Sequence, residues 1–505
     1  MNYDWIKTRA HYDEEKAAII DPLKGTKWSY QELNIRAENL ANHLQEQGVQ
    51  KGDVVGIFAP NDVALLDLLF ASFKMGAVYF PMNWRLNSKE IESVIEDSGV
   101  KLIFYANRHL SSLEGIADDY LHLDIDSPEY DEVVNPKNHK PFNTVDVEGD
   151  ELASLMYTSG TTGMPKGVMF TYDSFTANGI NTVLTYKINS DFVSIVSLPM
   201  FHVFGLNDLV LPLLMSGGSL VLHRYFEGEQ LNDLMAEYKP NYLSLIPTMY
   251  YAMLVAPNFN LKNFDNIDFL VQGGSAPLPG VQKKFESMGL NIINGYGLTE
   301  APLALLNTPS NSLKKPMSIG KAVMYVDLKL FDEKFNDVEV GEIGELAIKG
   351  KQVTPGYWHK QEETDKNFHD GYFLTGDLAR IDEDGDIFIV DRRKELIITG
   401  GENVLPSEVE TVLSDHPLVA QCVVVGFESE KFGESVSAAV LLTEKDPDFE
   451  EKLDKHMREH LASYKVPRMY LSVTKMPLTA TSKPNKLEVK EMMKRKAEKL
   501  NNKED

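Results

Sequence analysis

Residues 157–167 read YTSGTTGMPKG, and the apolar run LASLMY at 152–157 leads into them. A strand-like approach followed by three glycines among hydroxyl residues is what a phosphate-cradling loop needs. Glycine reaches φ > 0 and lets backbone approach closely, so N–H groups and hydroxyls can face a polyphosphate. A flexible surface turn is the plain alternative, and composition alone would suit it. The Pro165-Lys166-Gly167 exit weighs for phosphate contact. This is not a Walker A loop, because the Gly-Lys-Ser/Thr ending is absent and a proline precedes Lys166. A P-loop kinase or ATPase is disfavoured.

Outward from this loop, residues 28–306 alternate helix-period segments with short apolar runs, the pattern of parallel sheets covered by helices. Helices are expected at 35–47, 62–74, 229–238 and 279–287, and buried strands at 53–58, 219–222, 242–246 and 267–271. After about Ser318 the chain becomes β-rich with acidic turns, as in VDLKLFDEKFND (326–337) and GEIGELAIKG (341–350). Past Lys394 a smaller α+β pattern follows, with helices at 407–413 and 449–461 and strands at 419–425 and 437–442. The charged tail 490–505 reads as a frayed helix. The expected fold is therefore α/β: a large N-terminal domain, 1–391, of helix-covered sheets with a β-rich part, and a smaller C-terminal domain, 392–505. No solenoid-type repeat is present.

With 505 residues and 43% hydrophobic content, the chain is long enough for two or more domains. It carries 50 Lys+Arg against 75 Asp+Glu, a formal charge of −25 that repels phosphate backbones and anionic lipid heads at long range. Nucleic acid and membrane surfaces are poor partners for it. The single cysteine, Cys422, lies in QCVVVGF and suits a small core side chain in a reducing compartment. The first residues lack a signal-peptide pattern, and polar residues interrupt both strongly apolar stretches, 63–80 and 192–222. A cytoplasmic protein without stable membrane insertion is expected, and a homodimer is compatible with the sequence.

The loop YTSGTTGMPKG resembles the phosphate-binding signature of the adenylate-forming superfamily, which includes acyl- and aryl-CoA synthetases, luciferases and adenylation domains. LPMFHVFGL (198–206), QGGSAPLP (272–279), NGYGLTE (294–300), the run from Gly371 to Glu410 and PLTATSK (477–483) follow in the family's order and cover nearly the whole chain. FHVFGL and the regions 339–350 and 400–404 are most similar to fatty-acyl and 4-coumarate CoA ligases. The resemblance implies activation of a carboxylic acid, a fatty acid in the first instance, as its adenylate, then transfer to coenzyme A, with ATP and Mg²⁺ required.

On the same resemblance, Thr158, Ser159, Gly160, Thr161, Thr162, Gly163 and Lys166 surround the β- and γ-phosphates. Gly274, Ser275, Ala276 and Pro277 lie beside the adenine, and Tyr296 and Gly297 belong to the same nucleotide site. Thr299 contacts the α-phosphate. Glu300, with Thr158, holds Mg²⁺, which keeps waters and takes its remaining oxygens from substrate. Asp377 and Arg392 hold the ribose. His202 gates the acyl site, with Gly205, Gly273 and Gly297 lining it. Lys394 is the hinge of a mobile C-terminal lid, and Gly400, Gly401 and Glu402 line the coenzyme A tunnel. Lys483 is the catalytic lysine of adenylation. The chain departs from the family's pattern around it: Ser482 stands where a glycine is usual and Pro484 where an aliphatic residue is usual. Two alternatives remain open: a stand-alone adenylation enzyme that loads a carrier protein, and a non-catalytic adenylate-binding protein. Only about twenty residues follow Lys483, too few for a carrier domain of ~50 or more.

Overall fold

The computed structural model describes residues 3–113, 120–158, 165–399, 402–429, 433–479 and 483–501, without the side chains of 394, 403, 433 and 498–501. The chain forms two compact units, Met1–Leu328 with Ala347–Leu374, and Lys329–Leu346 with Thr375–Asp505. This division runs through the strands Val326–Phe331, Ile343–Gly350 and Tyr372–Ile381. The division expected near residue 391 thus differs in extent from these compact units.

The first unit contains two large sheets. In one, Leu121–Asp124, Leu102–Tyr105, Val54–Phe58, Val78–Met82 and Leu152–Thr158 lie side by side in parallel, and Lys166–Thr171 closes the edge antiparallel. The nine-stranded second sheet has a parallel centre, with Ala17–Asp21, Ser219–Leu222, Val193–Val196, Tyr242–Leu245, Phe269–Gln272 and Ile292–Leu298 as successive neighbours. Parallel strands covered by helices read as continuous apolar runs. Hence SLVL and YLSL, buried at every position, were legible as strands.

Helix Val63–Met75 shows what the core demands. Every one of its residues is buried. Asp62 caps its start, accepting from the Ala64 N–H at 3.1 Å, and Gly76 ends it at φ +72°. The polar residues that keep it from reading as a membrane span are both paired: Asp67 accepts from Arg36 Nε at 2.9 Å, and Lys74 Nζ lies 2.9 Å from Asp4. Removing one partner of such a pair costs about 3–5 kcal/mol, since the other charge is left buried alone. No helix among the described residues is long and apolar enough to cross a membrane.

The second unit has its own apolar cores, one of them built from Ile397, Val404, Val409, Leu413, Val424, Val440, Leu453 and Met457. Strands Val419–Ser429 and Gly433–Leu442 pair antiparallel, and Met469–Val473 adds in parallel. The helix expected in the tail is present, but it is packed and not frayed over its described first turns. A helix spans Lys486–Asn501, and its Val489 and Met493 are buried against Val423 and Val425.

Candidate nucleotide and acyl site

Strands Leu152–Thr158 and Lys166–Thr171 pair so that Thr158 stands opposite Lys166. The glycine-rich segment is therefore the connection at a sheet edge. Ser159, Gly160, Thr161, Thr162 and Gly163 lie outside the described residues. Thr158 is half-buried, and Lys166 pairs with Glu363 while its Nζ stands 5.5 Å from the centre of the Tyr357 ring.

Tyr357 connects this lysine to the segment expected to bind metal. Its hydroxyl donates to Glu300 Oε1 at 2.8 Å, and the Thr354 N–H donates to the Glu300 carbonyl at 2.7 Å. Burial first, then the neighbouring Glu300 and Glu363 carboxylates, push the Tyr357 phenol well above its ordinary value, so it stays a hydrogen-bond donor. Thr299 and Glu300 are the turn of a hairpin made by Ile292–Leu298 and Ala301–Leu306, with Leu298 opposite Ala301. Lys166, Tyr357, Glu300 and Glu363 thus form one polar array within the first unit. Sequence reasoning found Lys166 and Glu300 but missed Tyr357 and Glu363, whose segment 352–364 carries no glycine-hydroxyl signal.

The strand Phe269–Gln272 delivers Gly273 and Gly274. Gly274 has φ +75°, a left-handed conformation that favours glycine, and it opens the turn through Ser275, Ala276 and Pro277. A Cβ at Gly273 would sit 3.0 Å from the Gly295 carbonyl oxygen and 3.4 Å from Phe204 Cζ. The neighbouring hairpin holds Tyr296 and Gly297. At Gly297 a Cβ would meet the Leu303 N–H nitrogen at 2.7 Å, and at Gly205 the Pro199 carbonyl oxygen at 2.2 Å. Close backbone approach is therefore a sufficient reason for glycine at 205 and 297.

His202 precedes the short helix Val203–Gly205, its ring centre 4.9 Å from that of Phe201. The loop before it is anchored by buried Asn61, which sequence reasoning missed. Asn61 Nδ2 donates to the carbonyls of Val196, Leu198 and His223, at 3.2, 2.9 and 3.3 Å, and its Oδ1 accepts from the Met200 N–H at 2.9 Å.

In the second unit, Asp377 and Arg392 face each other across paired strands, Arg392 Nε 2.9 Å from Asp377 Oδ1. Lys394 lies in the single turn Arg393–Glu395. Glu402 is exposed opposite Thr399; Gly400 and Gly401 lie outside the described residues. Lys483 is exposed, and its carbonyl accepts from the Thr479 N–H at 2.7 Å while its own N–H donates to Thr479 Oγ1 at 3.2 Å. Pro484 bridges Leu478, so the proline is accommodated; Ser482 lies outside the described residues.

The model of the AMP-binding enzyme family matches residues 6–358, and that of its C-terminal domain matches 408–483. The chain belongs to the AMP-binding enzyme family, as an ATP-dependent acyl-CoA synthetase. It is 34% identical to a feruloyl-CoA synthase of an Amycolatopsis species over 96% of this chain and 98% of that one. It is 30% identical to the long-chain-fatty-acid–CoA ligase FadD13 of Mycobacterium tuberculosis, over 95% and 96%. Among solved structures, the ATP-bound MatB of Rhodopseudomonas palustris is similar at a TM-score of 0.89 and 29% identity, covering 97% of this chain and 99% of that one.

Proposed function

We propose that this enzyme takes a carboxylic acid with an extended, largely apolar body, of the fatty-acid kind, converts it with ATP to the acyl-adenylate and pyrophosphate, and passes the acyl group to coenzyme A with release of AMP. The observation that carries this is the array of Lys166, Tyr357, Glu300 and Glu363, which brings one cation and two carboxylates to the edge where the glycine-hydroxyl segment begins. A carboxylate resists thiol attack because it is anionic and its oxygen leaves poorly. Joined to AMP it loses the charge and gains a good leaving group.

In this proposal Thr158 and Lys166, with Ser159, Thr161 and Thr162, bind the β- and γ-phosphates. Thr299 orients the α-phosphate, and Gly274, Ser275, Ala276, Pro277 and Tyr296 receive the adenine. The Glu300 carboxylate and the Thr158 hydroxyl are an all-oxygen donor set, which fits Mg²⁺; the ion when bound neutralises phosphate charge. Tyr357 orients Glu300. Asp377 accepts from the ribose hydroxyls, with Arg392 fixing its carboxylate. Lys483 stabilises the anionic transition state of attack on the α-phosphate, and the segment 400–403 serves the thiol step after rotation about Lys394. The enzyme is taken as cytoplasmic, working on small molecules only.

Incubation with ATP, Mg²⁺, free coenzyme A and a panel of acids from acetate to palmitate, with benzoates and cinnamates, tests this. Acyl-CoA, AMP and pyrophosphate should form in equal amounts, and Lys483→Ala should lose acid-dependent ATP–pyrophosphate exchange by about 10²-fold or more, the scale of one electrostatic contact to a transition state. ADP and orthophosphate as products, or normal exchange in the variant, would overturn the corresponding assignment.

A further inference from the structure

Lys166, the cation at the phosphate edge, is held by an ion pair that the backbone builds. A strap, residues 354–358, runs along the strand Lys166–Thr171. The Trp358 N–H donates to the Gly167 carbonyl at 2.8 Å, the Met169 N–H to the Gly356 carbonyl at 3.1 Å, and Thr354 Oγ1 to the Met169 carbonyl at 2.8 Å. The strap leads into the short helix Gln361–Lys366, and the Tyr357 N–H donates across the turn to Thr364 Oγ1 at 3.0 Å. A Cβ at Gly356 would stand 2.4 Å from Thr364 Cγ2, so glycine there lets strap and helix close on each other. Glu363 directly precedes Thr364, and this anchoring delivers its carboxylate to Lys166 Nζ.

The pair is more than a chance surface contact. The Lys166 side chain is 14% exposed and that of Glu363 36%, so solvent and salt screen these charges less than those of two freely exposed side chains. The array of Lys166, Tyr357, Glu300 and Glu363 holds two carboxylates and one ammonium. Tyr357 gives its hydroxyl to Glu300, which orients that carboxylate, whereas Glu363 takes the lysine. An ammonium has three N–H donors but a single charge, so a phosphate that approaches Lys166 meets a cation already neutralised by Glu363.

We infer that Glu363 competes with nucleotide phosphate for Lys166, and so sets how tightly the enzyme holds the β- and γ-phosphates. This rests on the adenylation proposed above and adds to it a residue that works against phosphate binding. ATP brings those two phosphates in and pyrophosphate carries them away, so one carboxylate loosens substrate and leaving product alike. Holding both more tightly adds nothing to the chemical step, whereas slow release of a product limits turnover. AMP carries neither phosphate and lies outside the influence of Glu363. A carboxylate that instead held Mg²⁺ beside the phosphates would tighten ATP binding, which is the opposite sign.

Calorimetric titration of the whole enzyme with ATP, pyrophosphate and AMP, each with Mg²⁺ and without an acid, tests the inference. Glu363→Gln removes the charge and keeps the shape. It should bind ATP and pyrophosphate about threefold more tightly or better, the upper range for exposed ion pairs, with AMP affinity unchanged. In a Lys166→Met background the same substitution should lose most of that gain, because the contested ammonium is gone. Glu363→Ala is the second variant, should the glutamine protein fail to fold. Unchanged or weaker binding of ATP and pyrophosphate in the folded variant overturns the inference, and the weaker case assigns Glu363 to Mg²⁺ instead. A gain that persists in full without Lys166, or an equal shift for AMP, overturns it as well. A wild-type enzyme that binds none of the three refutes the adenylation proposal itself.

Discussion

Replacing Asp208 by asparagine should change how stability depends on pH. Burial moves this carboxyl from 3.8 to about 7, against the opposing donation from Asn178 and the Leu303 N–H. The folded protein therefore holds a proton that the unfolded chain releases. The stability this contributes is fully present below about pH 4 and is lost as pH rises through about 7. A separation of about 3 pH units at 1.36 kcal/mol each gives a loss of about 4 kcal/mol, of which about 2–3 kcal/mol falls between pH 5 and pH 8. The amide introduced by Asp208→Asn cannot titrate, so the variant escapes that loss. Other groups titrate in the same window, and the quantity to measure is the variant's stability minus the wild type's, from urea denaturation at several pH values. The difference should climb in the variant's favour from pH 5 to pH 8. A difference that is flat with pH, or that climbs toward low pH, would falsify the assignment of a neutral Asp208 in the folded protein.

Two further substitutions separate packing from chemistry. Tyr357→Phe removes the donor to Glu300, a bond to a charged acceptor worth about 1.5–3 kcal/mol; the Mg²⁺ concentration for half-maximal exchange should rise about tenfold, and an unchanged Mg²⁺ dependence would exclude an orienting role. Gly205→Ala drives a Cβ to 2.2 Å from the Pro199 carbonyl oxygen, which cannot yield as a flexible side chain could, so the variant should be less stable by about 1–3 kcal/mol in urea denaturation. If the alanine protein is as stable as the wild type and merely prefers shorter acids, Gly205 is there for acyl room instead.

How far the sequence was legible follows from the range over which each signal acts. Strands such as Tyr242–Leu245 and helices such as Pro279–Ser287 were readable because apolar period and turn residues are local properties. The candidate site was half readable. Lys166 and Glu300 stand in segments whose glycines and hydroxyls announce them, whereas Tyr357 and Glu363 reach the same place from a stretch that reads as an ordinary turn and helix start. Asn61 is plainer still: its four hydrogen bonds lie between 135 and 162 residues away in the chain, and nothing beside it in sequence hints at them.

The tail helix was legible, but its packing was not, for a related reason. Val489 and Met493 are spaced for one buried face, but the lysines around them dominate the composition, and only the facing Val423 and Val425 show which property decides. The same distinction bears on the glycines. Reading Gly205 and Gly297 as room for an acyl chain uses residue size alone, whereas the backbone groups 2.2 and 2.7 Å from the missing Cβ atoms come from residues whose approach is set by tertiary folding. A small residue in a family motif can therefore serve the fold first.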